Sequence, residues 1–252
     1  MSHATPIVLI HGLFGSQSAP EIIEAFGDTP IYAPDLIGYG ANRNLRPEGW
    51  ALQDQADHIA TFIRNLDNGP IHLAGHSVGG AVSALVAFEN PDLIASYTSV
   101  EGNFTLKDAF WSSEIAKKTQ HEVDKIYESY EADPNGWISG AVKDLTPFAS
   151  QVARQWLANQ TARTIRHQAE AVVSATGKPA YLKKMQALMQ SQIPVYLIAG
   201  ANSARDWDTS NWANELCNKR INLTDLGHLM MVESPADYAR AVKECVMNQA
   251  KS

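Results

Sequence analysis

The chain of 252 residues has little cysteine, no long apolar run and no excess of positive charge. Two cysteines, Cys217 and Cys245, cannot build the disulfide framework of a small secreted scaffold. Each falls in a stretch read as helix, so two reduced, buried thiols are expected. No apolar stretch approaches the roughly 20 residues that span a bilayer. Lys and Arg total 20 against 27 Asp and Glu, a formal net charge of −7, and like charges form no block. This excludes the basic footprint of a nucleic-acid binder and a polybasic membrane patch. The opening residues, Met1 to Pro6, carry neither a basic segment nor an apolar core. No signal peptide is therefore expected, and the cytoplasm is the expected location. Internal repeats and low-complexity tracts are missing. So are metal-ligand spacings and a dinucleotide fingerprint, so neither a metal nor an organic cofactor is expected.

What is present suits one large α/β unit. The hydrophobic fraction of 45% is enough for a sizeable core. Pro6-Ile7-Val8-Leu9-Ile10 reads as a strand buried on both faces. Residues 18–26 read as a helix, with Ser18 as its cap and Pro20 in its first turn. Ile31-Tyr32-Ala33 is the next strand, and a glycine-rich loop, Asp35 to Gly40, leaves it. Asp35 is read as tying down that loop. Residues 50–68 repeat apolar side chains at spacings of three and four, the signature of a helix. Further strands are expected at 71–76, 94–100, 193–200 and 220–224. Helices are expected after Ser77, at about 209–218, and from Ser234-Pro235 onward. Strands alternating with helices argue for a parallel sheet with right-handed crossovers.

The stretch around which the chain is organised is Gly75-His76-Ser77-Val78-Gly79, between an apolar strand and a helix. It fits the G-x-S-x-G nucleophile elbow. Such a turn holds the serine in a strained backbone conformation with its hydroxyl projecting. Side chains at 75 and 79 would collide with the neighbouring strand and helix. Ser77 then lies at a helix N-terminus, which favours developing negative charge. His11-Gly12-Leu13 follows the first strand, where outward amides can face Ser77. Glu101 stands at the end of the strand 94–100, the zone where open α/β sheets place functional groups. Residues 104–192 break the rhythm. They are helix-rich and carry Phe104, Phe110, Trp111, Tyr127, Tyr130, Trp137, Phe148 and Trp156. This segment reads as a helical cap over the site, its aromatics mostly cap core.

With these segments in this order, the chain resembles an α/β-hydrolase. The resemblance rests on His11-Gly12, on Asp35-Leu36-Ile37-Gly38-Tyr39-Gly40, on the elbow at Ser77, and on Gly227-His228 followed by Glu233-Ser234-Pro235. It implies an α/β-hydrolase fold: a mostly parallel sheet flanked by helices, with about six strands visible and the N-terminal β-hairpin absent. Residues 1–103 and 193–252 would form the core domain and 104–192 the cap, or lid. It implies Ser77 as nucleophile, His228 as general base, and the backbone N–H groups of Leu13 and Val78 as oxyanion hole. The remaining histidines match no role, and His76 is expected to pack or hydrogen-bond structurally.

The third member of the triad stays open at this level. The commonest family position for the acid is Ser203 here. Asp206 and Asp208 follow on the same loop, where both also fit as caps of the helix near Thr209. Glu101 is the other option. Haloalkane dehalogenases and zearalenone lactone hydrolases place their acid after the corresponding strand, and Ser99-Val100-Glu101 resembles theirs. The resemblance implies a serine hydrolase that cleaves a small carboxylic ester or lactone through an acyl-enzyme on Ser77. Ser77 argues against dehalogenases and epoxide hydrolases, which use Asp there. Carbon–carbon bond hydrolases, thioesterases and perhydrolases use the same Ser and His and remain alternatives. So does a ligand-binding or receptor protein on the same fold.

Overall fold

A computed structural model describes residues 5–46 and 48–247. Its centre is a sheet of six strands: β1 (Ile7–Ile10), β2 (Ile31–Tyr32), β3 (Ile71–His76), β4 (Ile94–Val100), β5 (Val195–Gly200) and β6 (Lys219–Leu223). The spatial order is β2-β1-β3-β4-β5-β6 and every pairing is parallel. Among the described residues β1 is the first strand, and no strand precedes it.

The continuous apolar run of β1 is explained by helices on both faces. Alternate residues of a strand point to opposite sides. Val8 and Ile10 join a core with Ile59 of α2 (Leu52–Asn65) and Val82 of α3 (Val78–Glu89). Ile7 and Leu9 join the opposite core with Ile22 of α1 (Pro20–Glu24) and with Tyr238 and Val242 of α12 (Pro235–Met247). The first helix after the elbow, α3, is buried from Val78 to Ala87, so it reads as apolar all round rather than as an amphipathic stripe.

Between β4 and β5 lie six helices and no strand: α4 (Phe110–Ala116), α5 (Gln120–Ala132), α6 (Pro134–Ser139), α7 (Pro147–Asn159), α8 (Ala162–Thr176) and α9 (Pro179–Met189). After β5 come α10 (Asn211–Leu216) and α11 (Met230–Glu233). No described helix is long and apolar enough to cross a membrane.

Several expected helix ends shift. Ala19, not Ser18, occupies the N-cap of α1, because the Ser18 hydroxyl is engaged with that of Ser16 at 2.8 Å. The helix expected from residue 50 begins at Leu52, with Asp54 accepting the N–H of Ala51 at 2.7 Å. Trp50 lies outside it and donates its indole N–H to Gln168. Neither Asp206 nor Asp208 caps α10, whose N-cap is Ser210. Cys217 falls at the end of that helix and is half-buried rather than buried within it, whereas Cys245 is buried in α12. Asp35 does tie its loop: one carboxylate oxygen accepts from Ala41 N–H at 3.1 Å and the other from Asn159 on α7 at 3.2 Å.

Candidate active site

Ser77 makes the turn between β3 and α3 alone, since the strand ends at His76 and the helix begins at Val78. Its backbone lies at φ 53° and ψ −122°. A non-glycine residue there costs roughly 1–3 kcal/mol, which the surroundings must offset. They do so with hydrogen bonds. Ser77 N–H donates to Val100 at 3.0 Å, and the Ser77 carbonyl accepts from Gly80 at 2.9 Å and Asn103 at 3.2 Å. Close packing explains the glycines. A Cβ on Gly75 would lie 2.3 Å from the Gly79 carbonyl oxygen, and one on Gly79 would lie 2.3 Å from that of His11.

Glu101 follows β4 and is also in the left-handed region, at φ 43°. The turn sends its side chain into the sheet end, where it is 5% exposed. One oxygen accepts from the Gly200 N–H at 2.8 Å and the Ser203 hydroxyl at 2.6 Å. The other meets Nδ1 of His228 at 2.6 Å. Burial alone would raise this carboxyl. The hydrogen bond and charge of His228, with the bonds from Ser203 and Gly200, outweigh it and hold Glu101 below the usual carboxylate range. Asp206 and Asp208 are elsewhere. Asp206 is exposed beside Arg205, and Asp208 accepts from Thr105 at 2.7 Å and pairs with Lys107.

His228 is carried by the loop between β6 and α11, and two contacts fix that loop. Nε2 of His76 donates to the His228 carbonyl at 2.9 Å, and the two rings pack with centroids 4.5 Å apart. Glu233 accepts from Gly227 N–H at 2.6 Å and, with its other oxygen, from Lys143 N–H at 2.8 Å. Burial, and then the nearby His228, push His76 well below the ordinary histidine value, so its ring is neutral.

The loop after β1 presents its amides under similar control. Leu36 N–H donates to Nε2 of His11 at 3.2 Å. Nδ1 of His11 therefore carries the proton and donates to the Gly12 carbonyl at 2.9 Å. The same trans peptide unit ends in Leu13 N–H, which points the opposite way. The hydroxyl of Tyr39 donates to the Leu13 carbonyl at 2.7 Å. Among the described residues, neither Leu13 N–H nor Val78 N–H is taken by a protein acceptor.

Ser77, His76, His228, Gly12 and Leu13 line one cavity of about 30 Å³. Phe14, Trp111, Trp137 and Trp156 close it. A larger groove of about 590 Å³ shares none of these residues; it lies around Trp50, His167 and Tyr181. Of the aromatics in 104–192, three tryptophans thus reach the cavity, while Phe104 packs on Trp207 and Phe110 is 70% exposed. His76 hydrogen-bonds and packs structurally, as the sequence suggests, whereas the supporting roles of Ser203 and Tyr39 are not assigned by a reading of motifs. The one signal was a hydroxyl standing where relatives carry a carboxylate.

The profile described as "Alpha/beta hydrolase family" matches residues 7–241, nearly the whole chain. The chain belongs to the α/β hydrolase family. This α/β hydrolase is 29% identical over 166 residues to "Ethanol acetyltransferase 1" of Cyberlindnera fabianii, covering 63% of this chain and 45% of that one. It is 26% identical over 156 residues to "(E)-2-((N-methylformamido)methylene)succinate hydrolase" of Acinetobacter baylyi, covering 61% and 57%. The α/β hydrolase thus spans about half the length of these curated relatives. Among solved structures it superposes on a thermophilic esterase from Thermogutta terrifontis with a TM-score of 0.71, at 18% identity, over 97% of this chain and 90% of that one. At that identity the likeness speaks for the fold alone.

Proposed function

We propose that this α/β hydrolase is a serine hydrolase that cleaves a small carboxylic ester or lactone through an acyl-enzyme on Ser77. One observation carries the reading. A strained serine elbow shares a cavity with a histidine whose far nitrogen is bonded to a buried carboxylate. Nothing in a resting fold requires that combination.

In this reading Nε2 of His228 takes the Ser77 proton as Oγ attacks the carbonyl. Glu101 fixes the tautomer through Nδ1 and stabilises the imidazolium that forms. The N–H groups of Leu13 and Val78 receive the oxyanion. His228 then protonates the leaving alcohol, and water activated by the same ring releases the acid. Helices α4–α9 act as the cap, since Trp111, Trp137 and Trp156 come from them. The core domain is then 1–103 and 193–252, the substrate is a small molecule, and the cytoplasm is the place of action.

A second reading differs only in the last step. Matches to an acetyltransferase favour an alcohol in place of water as acyl acceptor. Both are tested together. Purified protein is given p-nitrophenyl acetate with and without ethanol, and Ser77→Ala is run beside it. Loss of turnover by about 10³-fold or more in the variant is expected. Acetate as the product supports hydrolysis, and ethyl acetate supports transfer. Activity retained in Ser77→Ala would sink both.

A further inference from the structure

The cavity at Ser77 is short of polar groups. No Asp, Glu, Lys or Arg lines it. Apart from tryptophan N–H groups, its polar side chains are Ser77, His76 and His228, and His76 Nε2 is already spent on the His228 carbonyl. A charged substrate group would lose its hydration there and find no counter-charge, a large penalty. The arrangement therefore selects against carboxylate-bearing or ammonium-bearing substrates.

One donor in the wall has no use within the protein. Trp137, on α6, lines the cavity and packs on Phe14 at 5.3 Å and Tyr130 at 5.9 Å. Its Nε1–H is buried and has no hydrogen-bond partner among the described residues. A buried unpaired donor destabilises a fold, and phenylalanine would fill an aromatic wall without that cost. A cavity of about 30 Å³ holds one or two waters at most, so any ester must part the aromatic wall to enter. Parting it brings the Trp137 ring against the ligand.

We propose that Trp137 is a specificity residue whose indole N–H receives a second, neutral acceptor oxygen of the substrate, an ether, ketone or hydroxyl oxygen distinct from the scissile carbonyl. The substrate class is then an uncharged oxygenated ester or lactone. This rests on the Ser77 hydrolase reading for its kinetic test, but not for its binding test.

The test uses isosteric pairs that exchange one CH₂ for one ether oxygen. On the acyl side these are p-nitrophenyl butyrate and p-nitrophenyl methoxyacetate. On the alcohol side they are butyl acetate and 2-methoxyethyl acetate. The kcat/KM ratio within each pair, divided by the ratio for hydroxide hydrolysis, is measured for wild type, Trp137→Phe and Trp111→Phe. In at least one pair Trp137→Phe should lower the preference for the ether oxygen by roughly three- to tenfold, the worth of one hydrogen bond. Trp111→Phe makes the same change of ring size in the same wall and should leave the ratios in place. Unchanged ratios in Trp137→Phe for both pairs overturn the proposal, as does an equal shift in the Trp111 variant. The same four esters are then titrated by calorimetry into Ser77→Ala and Ser77→Ala/Trp137→Phe. If wild type shows no turnover, the hydrolase reading fails and these binding ratios judge Trp137 by the same criterion. Thermal unfolding of each variant shows that it is folded.

Discussion

Three donors converge on the two oxygens of Glu101: Gly200 N–H, the Ser203 hydroxyl and His228 Nδ1. A carboxylate so held is a fixed negative charge beside the imidazole. Glu101→Gln keeps the shape but removes the charge and offers an amide that can impose the wrong tautomer. It should lower kcat by about 10³–10⁴-fold, while Asp206→Asn should stay within about twofold. Ser203→Asp is the sharper probe. It puts the commoner family residue back, but directly against Glu101, which the Ser203 hydroxyl now meets at 2.6 Å. Two like charges there raise one pKa and compete for His228, so kcat should fall rather than recover. Steady-state kinetics on the four proteins decides the matter, and an active Ser203→Asp would show that Glu101 is not the partner the ring depends on. At this scale the sequence is readable where chemistry is local. Ser77 and His228 stand in short motifs, and the glycines around Ser77 report close backbone approach. Glu101 is not readable alone, because it and the pair Asp206 and Asp208 follow different strands, and only the sheet that sets β4 beside β5 shows which reaches His228. Ser203 signals only that the usual carboxylate is replaced; its bond to Glu101 has no pattern of its own.

Elements show a different division. The strands announce themselves because helices cover both faces and force unbroken apolar runs. Helix ends are less legible. The N-cap of α1 falls one residue past Ser18, whose hydroxyl bonds locally to Ser16, and α10 is shorter than its flanking aspartates suggest, with Asp208 bonded to the distant Thr105 instead of capping it. The link between α11 and the segment before α7 is wholly tertiary. Glu233 joins Gly227, next to His228, to Lys143, in the segment between α6 and α7. One carboxylate therefore couples the histidine loop to the helices that close the cavity. Glu233→Ala should free both backbone amides. Hydrogen exchange should speed up at Gly227 and at Lys143 together, and kcat should drop by about tenfold through a less well placed His228. Faster exchange at only one of the two amides would mean that the bridge does not couple them.

Across the whole molecule, the distribution of buried histidines sets how the fold responds to acid. Burial holds His72 down at about 4, against an ordinary 6.5, on β3 beside Ser96. Burial likewise lowers His11, against a smaller opposing pull from its Gly12 bond and Asp35, and lowers His76 still further. His167, less buried, is shifted the same way. A group whose folded pKa lies below its unfolded one contributes stability that is fully present above the unfolded value and is lost as the pH falls toward the folded value. For these histidines that window opens at 6.5 and runs down past about 4 for His72. Glu101, also lowered, adds a loss in the same direction at the lower end. Unfolding near pH 5 should therefore take up protons, about one of them from His72 at ~1.4 kcal/mol per pH unit, with His11 and His76 adding in the same direction. Denaturant unfolding at pH 7, 6, 5.5 and 5 measures it directly. His72→Gln removes one of the titrating rings and should cut the uptake by about one proton, whatever it does to stability at pH 7. A stability that stays level from pH 7 to 5 would mean that these rings are hydrated or charged in the fold. The neutral His76 that anchors the His228 loop would then lose its physical basis as well.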